Sequence, residues 1–207
     1  MKARGARKGE SALTSIAMEP KAFPAATGPQ PELPKFFYRL SAGAQRCYLK
    51  SDAIDRFDFQ PGTSALAMVE ALLKALEGGT IAPINRDAQA LVNELCRLLG
   101  VPPVEIAVRG VRPHNQRGEL HGIFFPNARP PQIVLWMRTA RRHDIVKPKT
   151  FVRTLLHELG HYLDYALLKL GGSFHTRGFF KRESFLVRLL YPSLEAESPP
   201  PSRPKLQ

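Results

Sequence analysis

The chain has 207 residues, 43% of them hydrophobic, which suits one domain with a real core and argues against wholesale disorder. No apolar run approaches the roughly 18–20 residues of a membrane span, and ALTSIAM, flanked by Glu10 and Glu19, makes a poor signal peptide. The net charge of +12 and two isolated cysteines, Cys47 and Cys96, far from any C-x-x-C spacing, fit a basic protein of the reducing cytoplasm and exclude a disulfide framework or zinc ribbon.

Residues 1–33 and 192–207 are rich in proline and charge without periodicity, so both are expected to be disordered tails around one domain, 34–191. Ser41 and the pair Ser51-Asp52 are cap-type residues for two short helices, around Gln45–Leu49 and Ala53–Phe57. Thr63 precedes SALAMVEALLKAL, whose apolar residues recur at helical spacing until Gly78-Gly79. Asn85 or Asp87 opens a further helix that ends at Gly100. From Val104 the texture changes. VEIAVRG, GELHGIFF and QIVLWM are short β-rich runs divided by Gly, Pro and Asn, and they read as a small antiparallel meander. A long helix is expected from Pro148 to Gly171-Gly172, and a last one from Thr176 to Leu190. Helices first, then a small sheet and two closing helices define an α+β domain with the order of a minimal zincin-like fold.

The long helix carries H-E-x-x-H as His157, Glu158 and His161. With about 100° per residue, His161 and Asp164 fall within about 40° of His157, while Val152, Leu156, Leu159 and Leu163 gather on the opposite side. Such a helix has an apolar back for the core and an open face for a metal. Neutral imidazoles bind zinc, three protein ligands leave room for a water whose pKa falls towards about 7, and Glu158 is placed to take that water's proton. Asp164 is expected behind the ligands, hydrogen-bonded to a zinc histidine.

Leu167 stands where metzincins place their third histidine, so that class is excluded. Beyond the glycines, about 13 Å of extended chain returns His175 to the level of His161. Glu183 lies in the apolar stripe Phe179, Leu186, Leu190 of the last helix, where a carboxylate must be paired or bound. Both residues are candidates. Imidazole needs no charge compensation, which favours His175 as ligand with Glu183 pairing an arginine or a zinc histidine.

TLLHELGHYLDY followed by HTRGFF resembles the SprT-like (Spartan-type) zinc metallopeptidases over roughly residues 104–190. The resemblance implies a Zn2+-dependent peptidase with His157, His161 and His175 as ligands, Glu158 as catalytic base and a protein or peptide as substrate. It also implies action near DNA. Residues 104–155 hold ten Lys/Arg against three Asp/Glu, and Arg138, Arg141 and Arg142 are the candidate nucleic-acid contacts, although a solvated face explains the same charge. Two alternatives remain open: an ImmA/IrrE-like regulatory metallopeptidase with Glu183 as third ligand, and a nucleic-acid-binding protein with a structural zinc. Tyr162 and Tyr165 are weaker candidates as oxyanion donors, and either GELHGIFF or QIVLWM could align a peptide by strand addition.

Overall fold

The computed structural model describes residues 33–116 and 118–191, so the two expected tails fall, Leu33 apart, outside the described residues. The fold is α+β. A 3-10 turn (Lys35–Arg39) leads into α1 (Ala42–Ala53), α2 (Thr63–Gly78) and α3 (Ile81–Leu98). Five strands follow among the described residues: β1 (Glu105–Val111), β2 (His114–Asn115), β3 (Gly118–Glu119), β4 (Gly122–Phe125) and β5 (Gln132–Arg138). The domain closes with α4 (Pro148–Ala166) and α5 (Arg177–Leu190). Among the described residues no helix is long and apolar enough to cross a membrane.

The expected antiparallel meander is corrected to a mixed sheet of order β1-β5-β4, with a separate β2-β3 hairpin. β1 runs parallel to β5, and β4 antiparallel to it. The most continuous apolar run takes the middle: Ile133, Leu135 and Met137, which share one face of β5, are fully buried, and on the other face Val134 is buried with Trp136 half-buried. GELHGIFF does not form one strand, because it divides between β3 and β4.

The front also differs from expectation. Residues 42–53 form one helix capped by Ser41, whose hydroxyl accepts from the Ala44 N–H, and the segment expected as a second short helix is irregular. α3 begins at Ile81, with Pro83 tolerated in its first turn. Asn85 is therefore inside the helix. Its side chain accepts from the Val108 N–H at 2.7 Å, and Gln89 accepts from the Ile106 N–H at 2.7 Å. These two amides cover the outer edge of β1, which would otherwise present unpaired backbone. The opposite edge of the sheet, β4, faces α4.

α4 ends at Ala166, five residues before Gly171. The Leu167 and Leu168 N–H groups both reach the Leu163 carbonyl, Leu170 bonds back to Asp164 O, and Lys169 takes the left-handed conformation at φ 53°. This turn buries Leu170 in place of another helical turn. α4 lays Val152, Leu155, Leu156, Leu159 and Leu163 into the core shared with α2, α3, the sheet and α5.

Candidate metal centre

α4 supplies His157, Glu158 and His161, the loop after it supplies Ser173 and His175, and α5 supplies Phe179, Arg182 and Glu183. The position of α5 is fixed at its start. Thr176 caps it by accepting from the Phe179 N–H, and a Cβ on Gly178 would fall onto the carbonyls of Ser51, Asp52 and Ile54 at the end of α1.

Three imidazoles converge. His175 Nε2 lies 3.0 Å from His157 Nε2 and 3.0 Å from His161 Nε2, and the ligand atoms of all three lie within 4.8 Å of one another. Donors held tetrahedrally at 2.0–2.1 Å from one ion sit roughly 3.3 Å apart, so the spacing is close to that of a three-nitrogen metal site.

The groups behind the rings fix their protonation. His157 Nδ1 is 3.0 Å from Glu183 Oε2, a carboxylate that can only accept, so Nδ1 carries the proton and Nε2 presents its lone pair. His161 Nδ1 is 2.7 Å from Ser173 Oγ, and Ser173 donates to Asp164 Oδ2 at 2.6 Å. The serine hydroxyl, with its proton committed to Asp164, must accept from His161 Nδ1, and the second Nε2 is bare as well. His175 can satisfy only one of these lone pairs by donating. Three neutral histidines therefore leave inward-facing electron pairs unmatched, an arrangement that a cation resolves.

Phe179 forms the floor. Its ring stacks on His161 (4.6 Å, 28°) and meets His157 and His175 edge-on at 5.1 and 5.3 Å. Burial on this floor, reinforced by the neighbouring imidazoles His157 and His175, pushes the His161 pKa down to about 3. Burial likewise lowers that of His175. These two rings are thus held neutral, as ligands must be. Gly160 makes room for the floor, since a Cβ there would stand 3.3 Å from Phe179.

Glu183 is not one of the converging ligands. Burial raises its carboxyl pKa, but hydrogen bonds from His157 and from Arg153 Nε (2.9 Å) outweigh that and hold it below the usual range. The direct hydrogen bond expected from Asp164 to a histidine is corrected: Asp164 reaches His161 only through Ser173. Its other oxygen accepts from Arg182 Nη2 at 2.8 Å, and Arg182 also donates to the Ser51 and Ile54 carbonyls. Asp164 and Arg182 are 0% and 1% exposed. Asp164→Ala strands a buried guanidinium and is expected to cost about 3–5 kcal/mol of stability, measured by urea unfolding of the metal-free protein.

Glu158 lies between α4 and the free edge of β4. Burial pushes its carboxyl up to about 7, against the opposing influence of His157 and of a hydrogen bond from the Phe124 N–H. A Cβ on Gly122 would stand 2.7 Å from Thr154 and 2.9 Å from Glu158, so glycine is what lets β4 approach this closely. A raised acid adds stability below its unfolded pKa, and that contribution is lost as pH rises through about 7. In metal-free protein, Glu158→Gln should therefore raise stability by up to about 3 kcal/mol at pH 8 and leave it nearly unchanged at pH 4. Urea titrations at the two pH values check this.

Two cavities flank the centre and share Gly122, His157 and Glu158. One, of about 450 Å³, is lined by charged groups including Glu119, Lys149 and Arg153, and the other, of about 460 Å³, contains His161, His175, Phe124 and Tyr165. Together they make a groove along β4. β5, the other strand considered for peptide alignment, is central and has no free edge. Tyr162 is committed elsewhere, its hydroxyl donating to the Pro102 carbonyl, whereas Tyr165 lines the groove. Arg138 is also committed, donating to His143 O and Gly79 O, while Arg141 and Arg142 are exposed after β5. Cys96 is buried in the core and Cys47 donates to Gly172 O, so neither belongs to the cluster.

Sequence reasoning missed Ser173, Arg182 and Gly122. Ser173 and Arg182 are polar residues with many ordinary uses, and only the packing of the 167–176 loop and α5 against α4 gives them these partners. Compared with protein-family models, curated proteins and solved structures, the chain matches none.

Proposed function

We propose that the protein is a zinc metallopeptidase of the SprT-like type, with His157, His161 and His175 holding Zn2+ and Glu158 as general base. The observation that carries this reading is the convergence of three Nε2 atoms beside a buried glutamate at an open strand edge. Three imidazoles are a donor set that suits zinc in its hydrolytic role. When bound, zinc supplies Lewis acidity and lowers the pKa of water towards about 7. Glu158 takes a proton from the attacking water and passes it to the departing amine. Apart from the Phe124 N–H, which Glu158 accepts, the outer edge of β4 is open to pair with an extended peptide, which brings a peptide bond past Glu158. Glu183 and the Ser173-Asp164 pair hold the histidine tautomers throughout.

The acidic-ligand alternative has less support, because both Glu183 oxygens are engaged, one by Arg153 and one by the far side of His157. For the nucleic-acid role, exposed Arg141 and Arg142 are the residues to reverse in a salt-dependent binding assay. The peptidase reading is tested by digesting denatured casein with the zinc-loaded protein, with and without single-stranded DNA and with and without a chelator. Chelator-sensitive fragments are expected, and intact casein under every condition refutes the reading.

A further inference from the structure

Beyond Tyr165 the groove opens into a third cavity, of about 640 Å³. Its walls are Pro102, Pro126, Pro131, Phe124, Tyr162 and Tyr165, and three of these, Phe124, Pro126 and Tyr165, also line the cavity that contains His161 and His175. The two spaces are therefore neighbours across one aromatic wall.

The chamber is mostly apolar, with Asn127 and Lys169 on its exposed rim. Proline has no N–H, the Tyr162 hydroxyl is spent on the Pro102 carbonyl, and the charged group on the wall, Lys169, donates to Ala166 O. Phe124 meets Tyr162 and Tyr165 at 5.8 and 6.0 Å, so the aromatic rings brace one another. A polar or charged side chain would lose its hydration here with little in return. A large apolar one would not, and an aromatic one could add edge contacts with the rings. The groove is also asymmetric, since its other end is lined by Glu119, Lys149 and Arg153.

Register connects the chamber to the chemistry. The Phe124 N–H bonds to Glu158, so the residue of β4 beside the base is the residue whose ring walls the chamber. A peptide extended along β4 advances about 3.3 Å per residue with side chains on alternate sides, so a residue close to the scissile bond falls at its mouth. We propose that this chamber is the specificity pocket of the site and takes one large apolar or aromatic side chain, on one side of the scissile bond only. The assignment rests on the peptidase reading above.

The test reads binding, independently of turnover. Zinc-loaded Glu158→Gln protein is titrated, by fluorescence anisotropy, with labelled alanine-rich hexapeptides that each carry a single tyrosine at a different position. One position is expected to tighten binding about 10- to 100-fold over the all-alanine peptide, the range a single apolar group in a pocket supplies. Ala166→Trp fills the chamber from its wall and should abolish that gain with zinc content unchanged; if that variant misfolds, Asn127→Trp blocks the chamber from its exposed rim. Equal binding at every position, or a gain that survives both tryptophans, overturns the pocket. Casein cleavage without any aromatic preference would leave the peptidase standing and the pocket refuted, whereas tyrosine-selective binding without cleavage would do the reverse.

Discussion

Glu158→Gln is expected to lower kcat on casein by about 10²–10⁴-fold while zinc content and KM stay near wild type. The size follows from the position of this carboxylate. It is 7% exposed, it lies against His157, and burial brings its pKa up to about 7, where a group exchanges protons readily near neutral pH. Glutamine keeps the shape and still accepts from the Phe124 N–H, so β4 and the groove are preserved. What it loses is the ability to take up a proton. A loss confined to kcat therefore reports the proton transfer itself, whereas a parallel rise in KM would indicate that the groove had been disturbed. Activity that persists in the glutamine variant is incompatible with the mechanism.

Zinc binding should separate His175 from Glu183 by a wide margin. His175→Ala removes one of three converging nitrogens and is expected to abolish stoichiometric zinc, read by dialysis against a competing chelator. Glu183→Ala leaves all three ligands in place but frees the His157 ring to rotate and change tautomer, and should weaken zinc about 10- to 100-fold. Ser173→Ala is the matching change behind His161 and should fall in the same range. The opposite pattern, zinc retained without His175 and lost without Glu183, would establish the acidic-ligand alternative.

The centre was legible in the sequence wherever periodicity places residues. HELGH on a helix with an apolar back puts His157 and His161 side by side, and the stripe through Phe179, Glu183, Leu186 and Leu190 turns Glu183 towards α4. His175 was reached by a flawed route. The return path assumed a helix running to Gly171, but α4 stops at Ala166 with Lys169 in the left-handed turn, a conformation that no glycine signalled. What could not be read were partners set by tertiary packing. Asp164 looked like a direct support for a histidine because both share a helix face, yet Ser173, from the loop, stands between them. Arg182, which no sequence pattern singled out, is fully buried because α1 ends on α5 and offers it two carbonyls. The sheet was misread for a related reason. Strand order follows burial, and β5, the most buried strand, displaces β4 from the side of β1, whereas adjacency in sequence suggested a meander. Asn85 was expected to open α3, and its actual use, together with Gln89, is to close the edge of β1.

The claim on which the rest depends is that three imidazoles and no protein carboxylate hold the metal. X-ray absorption at the zinc K-edge of the purified, zinc-loaded protein tests it most directly. Nitrogen and oxygen neighbours at about 2.0–2.1 Å are expected, with the outer-shell scattering of three imidazole rings. A first shell containing sulfur at about 2.3 Å, or only two imidazoles with a carboxylate, would contradict it.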